Sequence, residues 1–441
     1  MTFELPTISV CIPVRNGAEV LGRTLQHVLV HAAYPKNRVE VLVGNHASTD
    51  STSAVVADHA RGHELREIHV PYSGPVRAAV RNRLIEAARG EVLVFLDHDM
   101  LVSDRFLLEH AAAHAPGSGR LVAGMTYGKL LDAGLLPAGQ LDALDLAHID
   151  GSRAVLDGVA FFADPRTRPG SLPTDEPLVD LSGEFAPYRY FWSSNLSARR
   201  TDVVGCGKFD EAYVGWGFED DDFAQQFRSR GLRLLFSRAA WAFHVPHPVN
   251  RPRNLVECRR NLSYLLRKFP SRETELYAVL GPDIAVLVPR IDFLLRSLLA
   301  VEIPAAALAS QLPRRRGRRL AHFLGSEALA TLKCLDLTDA FCPFADEVRL
   351  PEPGDVRVSP FVGLRTTFAD REIDEGILFV DALAYLDQVL LTLLLTETAR
   401  ICKTVFFCER SNPPGGTEFG DLVRATARQV RFERVFWCSV D

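Results

Sequence analysis

The stretch "EVLVFLDHDM", Glu91 to Met100, decides the fold of this chain. Five apolar residues, Val92 to Leu96, run without a polar break and stop at two acids one residue apart. An uninterrupted apolar run of that length, set between helical segments, reads as a strand buried on both faces, as in parallel sheets. Working outward, the same alternation recurs. Before it come "VRAAVRNRLIEAARG" with helical spacing, the β-rich "LREIHVP", and "STDSTSAVVADHARG", which opens on Ser/Thr/Asp capping residues and closes on Gly62. Further back, "VEVLVGN", "GAEVLGRTLQHVLVHA" and "TISVCIPV" complete a strand–helix series. Such a series predicts an α/β fold whose ligands gather at the carboxyl ends of the strands. Both "VGN" and "LDHD" fall at that edge.

At 441 residues the chain is long enough for two or three domains. Hydrophobic residues at 47% and charged residues at 24% are globular proportions. A net charge of -5 offers no platform for nucleic acid. The eight cysteines contain no C-x-x-C and read as reduced core thiols. No basic leader opens the sequence, and the best apolar candidate, residues 284–304, contains Pro289, Arg290, Asp292 and Arg296. It does not suit a transmembrane span. The expectation is a cytoplasmic protein that at most rests on a membrane surface through an amphipathic segment.

Asp97 and Asp99 raise a chemical question, because two close carboxylates repel unless a cation or donor lies between them. Strand geometry would send both side chains the same way, and a divalent metal holding a diphosphate is the economical partner. A second acidic group, "GWGFEDDDF" from Gly215 to Phe223, sets four acids in a row between aromatics. It reads both as the acidic first turn of a helix ending near Gly231 and as a chemical site.

Several segments in order, "ISVCIPVRNGAEVLGRTL", "STDST", "AAVRNRLIEAARGEVLVFLDHDM", "FWSSNLSARR" and "GWGFEDDDFAQQFRSRG", resemble the family 2 inverting glycosyltransferases of the GT-A fold over about residues 5 to 260. The resemblance implies a Rossmann-like, mainly parallel mixed sheet flanked by helices. It implies a hexosyltransferase moving a sugar from a nucleotide-diphosphate donor, UDP favoured, to a hydroxyl-bearing acceptor such as a glycan, small molecule or peptide. Mn²⁺ or Mg²⁺ is the implied cofactor, on Asp97, Asp99 and His244, with His247 in reserve. By similarity to galactosyl- and chondroitin-type enzymes, Asp220 is the implied base, Glu219 its companion, and Asp221 an acceptor residue. Gly217 fits close approach to sugar and Trp216 offers a flat face to a ring. Pro13, Val14, Arg15 and Arg81 match positions near the nucleotide. The family's usual acid after the second strand is replaced by Asn45, whose amide oxygen could accept the uracil N3 proton. Trp192 and Asn195 in "FWSSN" read equally as a sugar-facing wall and as core.

The rival readings are a carbohydrate-binding scaffold and a nucleotidyltransferase. The expected organisation is a catalytic domain over 1–280, a helical linker with an arginine-rich junction over 281–330, and a smaller accessory α/β domain over 331–441 for docking or homodimerisation. That last part resembles the later half of a class I methyltransferase sheet through "EGILFVDALAYLDQVLLTLLLT", without a preceding glycine-rich loop.

Overall fold

The computed structural model describes residues 4–128, 144–158, 172–247, 251–280, 305–322, 335–343, 356–410 and 418–440, apart from isolated positions in those spans and with Arg296 in addition. The apolar segment 284–304 and much of 130–180 therefore lie outside the described residues. The chain forms two compact units, Met1–Leu262 and Ser263–Asp441. No helix among the described residues is long and apolar enough to cross a membrane.

The first unit begins with the expected series: β1 (Ile8–Val14), α1 (Ala18–Leu29), β2 (Val39–His46), α2 (Thr52–His59), β3 (Leu65–Val70), α3 (Arg77–Ala87) and β4 (Val92–Leu96). It continues through β5 (Met100–Val102), α4 (Phe106–Ala112), β6 (Arg120–Tyr127), α5 (Arg153–Gly158), β7 (Leu178–Asp180), β8 (Asn195–Arg199), α6 (Arg200–Cys206), α7 (Glu219–Ser229), β9 (Arg233–His244) and α8 (Arg251–Lys268). The unit boundary falls inside α8. The sheet runs β3-β2-β1-β4-β8-β6-β9-β5, with β7 on β9. The pairs β3–β2, β2–β1 and β1–β4 are parallel, whereas β8 joins β4 antiparallel. Register sets Val14 opposite Asn45, so the first two strands end side by side. Asp50 of "STD" ties them down by accepting the N–H of Ala18 at 3.0 Å and of Thr52 at 3.1 Å, the first residues of α1 and α2.

One sheet face packs Ile8, Val10, Ile12, Val41, Val43, Val92, Val94 and Leu96 against Leu21 and Leu25 of α1. Next to Leu96, Phe95 meets Phe209 edge-on at 5.3 Å and Phe223 at 6.0 Å, and those two rings stack at 4.1 Å. Phe223 is fully buried, so truncating it to Ala would cost about 3–5 kcal/mol. That anchor fixes α7, and with it the acidic run.

In the second unit, β10 (Arg319–Ala321), β11 (Asp339–Phe341), β12 (Arg357–Ser359), β13 (Ile373–Phe379), β14 (Cys402–Arg410) and β15 (Arg434–Val440) form an all-parallel sheet. Its order, β12-β11-β10-β13-β14-β15, is that of a complete doubly wound sheet. Arg319, from the arginine-rich stretch, starts β10 and is only 3% exposed. It is neutralised by Glu375 at 2.6 Å. The helix α9 (Arg272–Leu280) also belongs to this unit.

Candidate active site

The acids gather at the carboxyl end of β4. The chain leaves the strand at Leu96 and turns before β5 begins at Met100, so the alternation rule for strands does not govern Asp97 and Asp99. The structure separates them. Asp97 Oδ1 lies 3.4 Å from Arg81 on α3. Asp99 Oδ2 instead lies 3.4 Å from His244 Nε2 and 3.3 Å from His247 Nε2. Strand pairing makes this second group: Met100 is opposite His244 in the β5–β9 ladder, and Val245 N–H donates to Asp99 O at 2.9 Å. Burial works against the Asp99 charge, but the two imidazoles hold its pKa well below the usual carboxylate range.

Asp99, His244 and His247 offer ligand atoms within 4.8 Å of one another, and the buried Asp99 Oδ1 and His244 Nδ1 have no hydrogen-bond partner among the described residues. One carboxylate and two imidazoles suit Mn²⁺-like cations. The residues fit a metal, with His247 in the place expected of Asp97.

Arg81 joins the two acidic motifs. It is 3% exposed; its Nη1 lies 3.2 Å from Glu219 and 3.9 Å from Asp220, its Nη2 reaches Asp97, and its guanidinium stands 5.4 Å from the Phe209 ring centre. Burial alone would lower its pKa, yet the charges of Asp220, Asp97 and Glu219 raise it overall. The acidic run forms the first turn of α7, so the reading of it as a helix terminus holds, and Arg81 gathers that turn into a charged cluster with Asp97. Within the turn the four acids differ. Asp222 is fully buried, receives the Tyr213 hydroxyl at 2.9 Å and bonds Gln226. Asp221 is buried as well. Asp220 keeps a partly exposed side chain, and its Oδ1 accepts no hydrogen bond from the described residues. Burial, then repulsion from Glu219, pushes its pKa up to about 6, against the pull of Arg81 and the Ser193 hydroxyl.

This layout can be set beside known proteins. The family model for glycosyl transferase family 2 matches residues 9–167, and that for the N-terminal domain of galactosyltransferase matches 179–251. A validoxylamine A glucosyltransferase of Streptomyces hygroscopicus subsp. limoneus is 28% identical over 85% of this chain and 84% of its own. The chain is a glycosyltransferase.

An uncharacterised glycosyltransferase of Bacillus subtilis (strain 168) is 27% identical over 59% of this glycosyltransferase and 70% of its own length. Among solved structures, a mannosyltransferase from Pyrobaculum calidifontis in complex with GDP-Man and Mn²⁺ aligns over 70% of this chain and 79% of its own, at 18% identity and a TM-score of 0.41. That likeness is too distant to bear on donor or metal. The first unit has the mixed, helix-flanked sheet that the resemblance implied, and the glycosyltransferase matches displace the scaffold and nucleotidyltransferase readings.

The remaining expected residues of the glycosyltransferase divide sharply. Pro13 and Val14 close β1, and the exposed Arg15 lies near His46, whose pKa burial and that arginine lower. Asn45 is 3% exposed and its amide is occupied: Nδ2 donates to Glu67 at 2.6 Å and Ser53 at 3.1 Å, while Oδ1 accepts Ser48 N–H at 2.9 Å. Because a carboxylate only accepts, Glu67 fixes which way this amide points. Its oxygen is turned to the backbone, where the sequence reading had offered it to a base. Trp216 is 41% exposed and Trp192 half-buried.

Asn195 corrects the expectation of a sugar-facing wall. It is 2% exposed, donates to the carbonyls of Met125 and Ala240 at 3.0 Å, and accepts from His110 Nε2 at 2.9 Å. His110 Nδ1 in turn meets Ser197 at 2.8 Å. This polar triad is internal glue, with His110 kept neutral by burial, its pKa down to about 4. Sequence reasoning missed Glu67, Ser53, Tyr213 and the α8 residues Glu257 and Asn261; none stands in a recognisable motif.

Proposed function

We propose that this glycosyltransferase moves a sugar, with inversion, from a nucleotide-diphosphate donor to an acceptor hydroxyl, with Asp220 as general base. The observation that carries this is the contrast inside one helical turn. Asp222 is fully engaged by Tyr213 and Gln226, whereas Asp220 stands with an unbonded oxygen and a pKa raised to about 6, joined through Arg81 to Asp97 of the donor-side motif. A base poised near neutrality takes the acceptor proton as its oxygen attacks the anomeric carbon. The bond to the diphosphate breaks on the opposite face, so configuration inverts. Arg81 is the cation within reach of both acidic motifs and restrains the ionised acids near the reacting centre. Asp99, His244 and His247 would hold a divalent cation, which supplies charge neutralisation for the departing diphosphate.

Since the curated relatives are named for glucosyl transfer to validoxylamine A, UDP-glucose with validoxylamine A is the first pair to test, beside dTDP- and GDP-sugars. Nucleoside diphosphate release in Mn²⁺ and Mg²⁺ measures turnover, and NMR of the product reads the anomeric configuration. An α-linked sugar from an α-linked donor would overturn inversion. Transfer undiminished by a chelator would overturn the metal assignment.

A further inference from the structure

The loop that carries Trp216 is held from α8. Gly215, Gly217 and Phe218 have φ of 86°, 98° and 72°, all left-handed. For Phe218 that conformation is strained, so the loop persists only if its surroundings impose it. The carbonyls exposed by these turns converge on one amide. Asn261 Nδ2 lies 3.3 Å from Val214 O, 3.3 Å from Trp216 O and 2.9 Å from Gly217 O, and Arg260 adds a second donor to Val214 O. Four residues earlier on the same helical face, Glu257 Oε2 accepts Trp216 N–H at 2.8 Å. A Cβ at Gly215 would lie 2.4 Å from Glu257 Cδ, and one at Gly217 2.9 Å from Cys258 Sγ. Both glycines are thus required by φ, and a side chain at either would displace the α8 residue packed against it. The result is a backbone gripped on its inner side while the Trp216 ring is left 41% exposed.

We infer that Glu257 and Asn261 are positioning residues for the acceptor: they hold Trp216 in the orientation in which its ring can lie against a sugar or polyol face, and so set acceptor affinity without touching the donor. This rests on the reading of the Trp216 loop as acceptor-facing. Aromatic faces bind such ligands through their apolar C–H surface, and a mobile ring would lose that gain to ordering.

The variants are Glu257→Ala, Glu257→Gln, Asn261→Ala and Asn261→Asp in the full chain. Amide hydrogen exchange of peptides spanning residues 213–219 should speed at least tenfold in Glu257→Ala and Asn261→Ala, with peptides of β1 and β4 unchanged. Gln keeps an acceptor for Trp216 N–H, so Glu257→Gln should stay near wild type. Asn261→Asp should exceed Asn261→Ala, because a carboxylate then faces three carbonyl oxygens. In kinetics with UDP-glucose, the KM for validoxylamine A should rise roughly tenfold in the Ala variants, and transfer should fall about tenfold more than donor hydrolysis by water. Equal losses in transfer and hydrolysis, unaltered exchange at 213–219, or a Gln variant as impaired as Ala would overturn the inference. Absence of transfer in the wild-type protein would count against validoxylamine A as acceptor, and the exchange result would still decide the α8 grip.

Discussion

Each unit of this chain sets a carboxylate on a helix, and the hydrogen bonding of the two is opposite. In the first unit, Asp220 in the opening turn of α7 has an oxygen that no group among the described residues hydrogen-bonds and a neighbour, Glu219, that repels it. In the second, Glu275 on α9 is fully buried and accepts four backbone N–H groups, from Val362, Gly363, Leu364 and Arg365, at 2.6–2.9 Å. A satisfied carboxylate stabilises its surroundings and has nothing left for a ligand. Burial pushes both carboxyls up, Glu275 to about 8 in spite of its four donors and Asp220 to about 6, so the difference lies in access: Asp220 keeps a partly exposed side chain and an oxygen not taken up by a donor, which is the condition for chemistry.

The contrast can be broken at several points. Asp99→Ala should have the largest effect, lowering Mn²⁺-dependent affinity for UDP by about a thousandfold, because it removes the only carboxylate of the Asp–His–His group. Calorimetry with and without chelator checks it, and unchanged affinity would detach the group from the donor. Glu275→Ala should follow at about 3 kcal/mol of unfolding free energy, since four donors lose their acceptor together. Denaturant unfolding measures this, and UDP affinity in Mn²⁺ should stay as in wild type. Asn45→Asp sets a second carboxylate where Nδ2 now lies 2.6 Å from Glu67. Repulsion between two ionised carboxylates is relieved when one takes a proton, so stability should be near normal below about pH 4 and fall by about 2 kcal/mol as pH rises to 8. A pH-independent loss would instead mean a packing defect. Asp222→Asn should be smallest, about 1 kcal/mol of stability with turnover close to normal, because Asn retains one acceptor for Tyr213.

How much of this was legible follows from where the information lies. The strands β1, β2 and β4 announced themselves because each is a long apolar run closed by a polar break. The strands β10, β11 and β12 have three residues each, too short for any periodicity. One of them begins in an arginine cluster that reads as surface until Glu375 is found beside Arg319. In the site, acids spaced as a motif were visible and the resemblance named His244 and His247 beside Asp99, but the partners of Asp97 and Asp220 were not visible. Arg81 carried no sign that it would face three carboxylates from two distant segments. The pairing of Asp99 with two histidines depends on a β5–β9 ladder between a three-residue strand and a residue 144 positions further on. Asn195 misled for the converse reason, since "SSN" looks solvent-facing and its partners His110, Met125 and Ala240 come from three other segments.

The role of Asp220 is tested most directly by the pH dependence of kcat/KM for transfer, compared with the same profile for Asp220→Asn. With its pKa pushed up to about 6, Asp220 is protonated and unable to accept the acceptor proton below that value, and competent above it. Wild-type kcat/KM should therefore fall about tenfold per pH unit as pH drops below 6. In Asp220→Asn that limb should vanish, leaving activity a hundredfold to ten-thousandfold lower, on the order expected for loss of a general base, with UDP affinity preserved. An acid limb that persists unchanged in Asp220→Asn, or turnover within a few-fold of wild type, would contradict the assignment and return the acidic run to the role of a helix terminus.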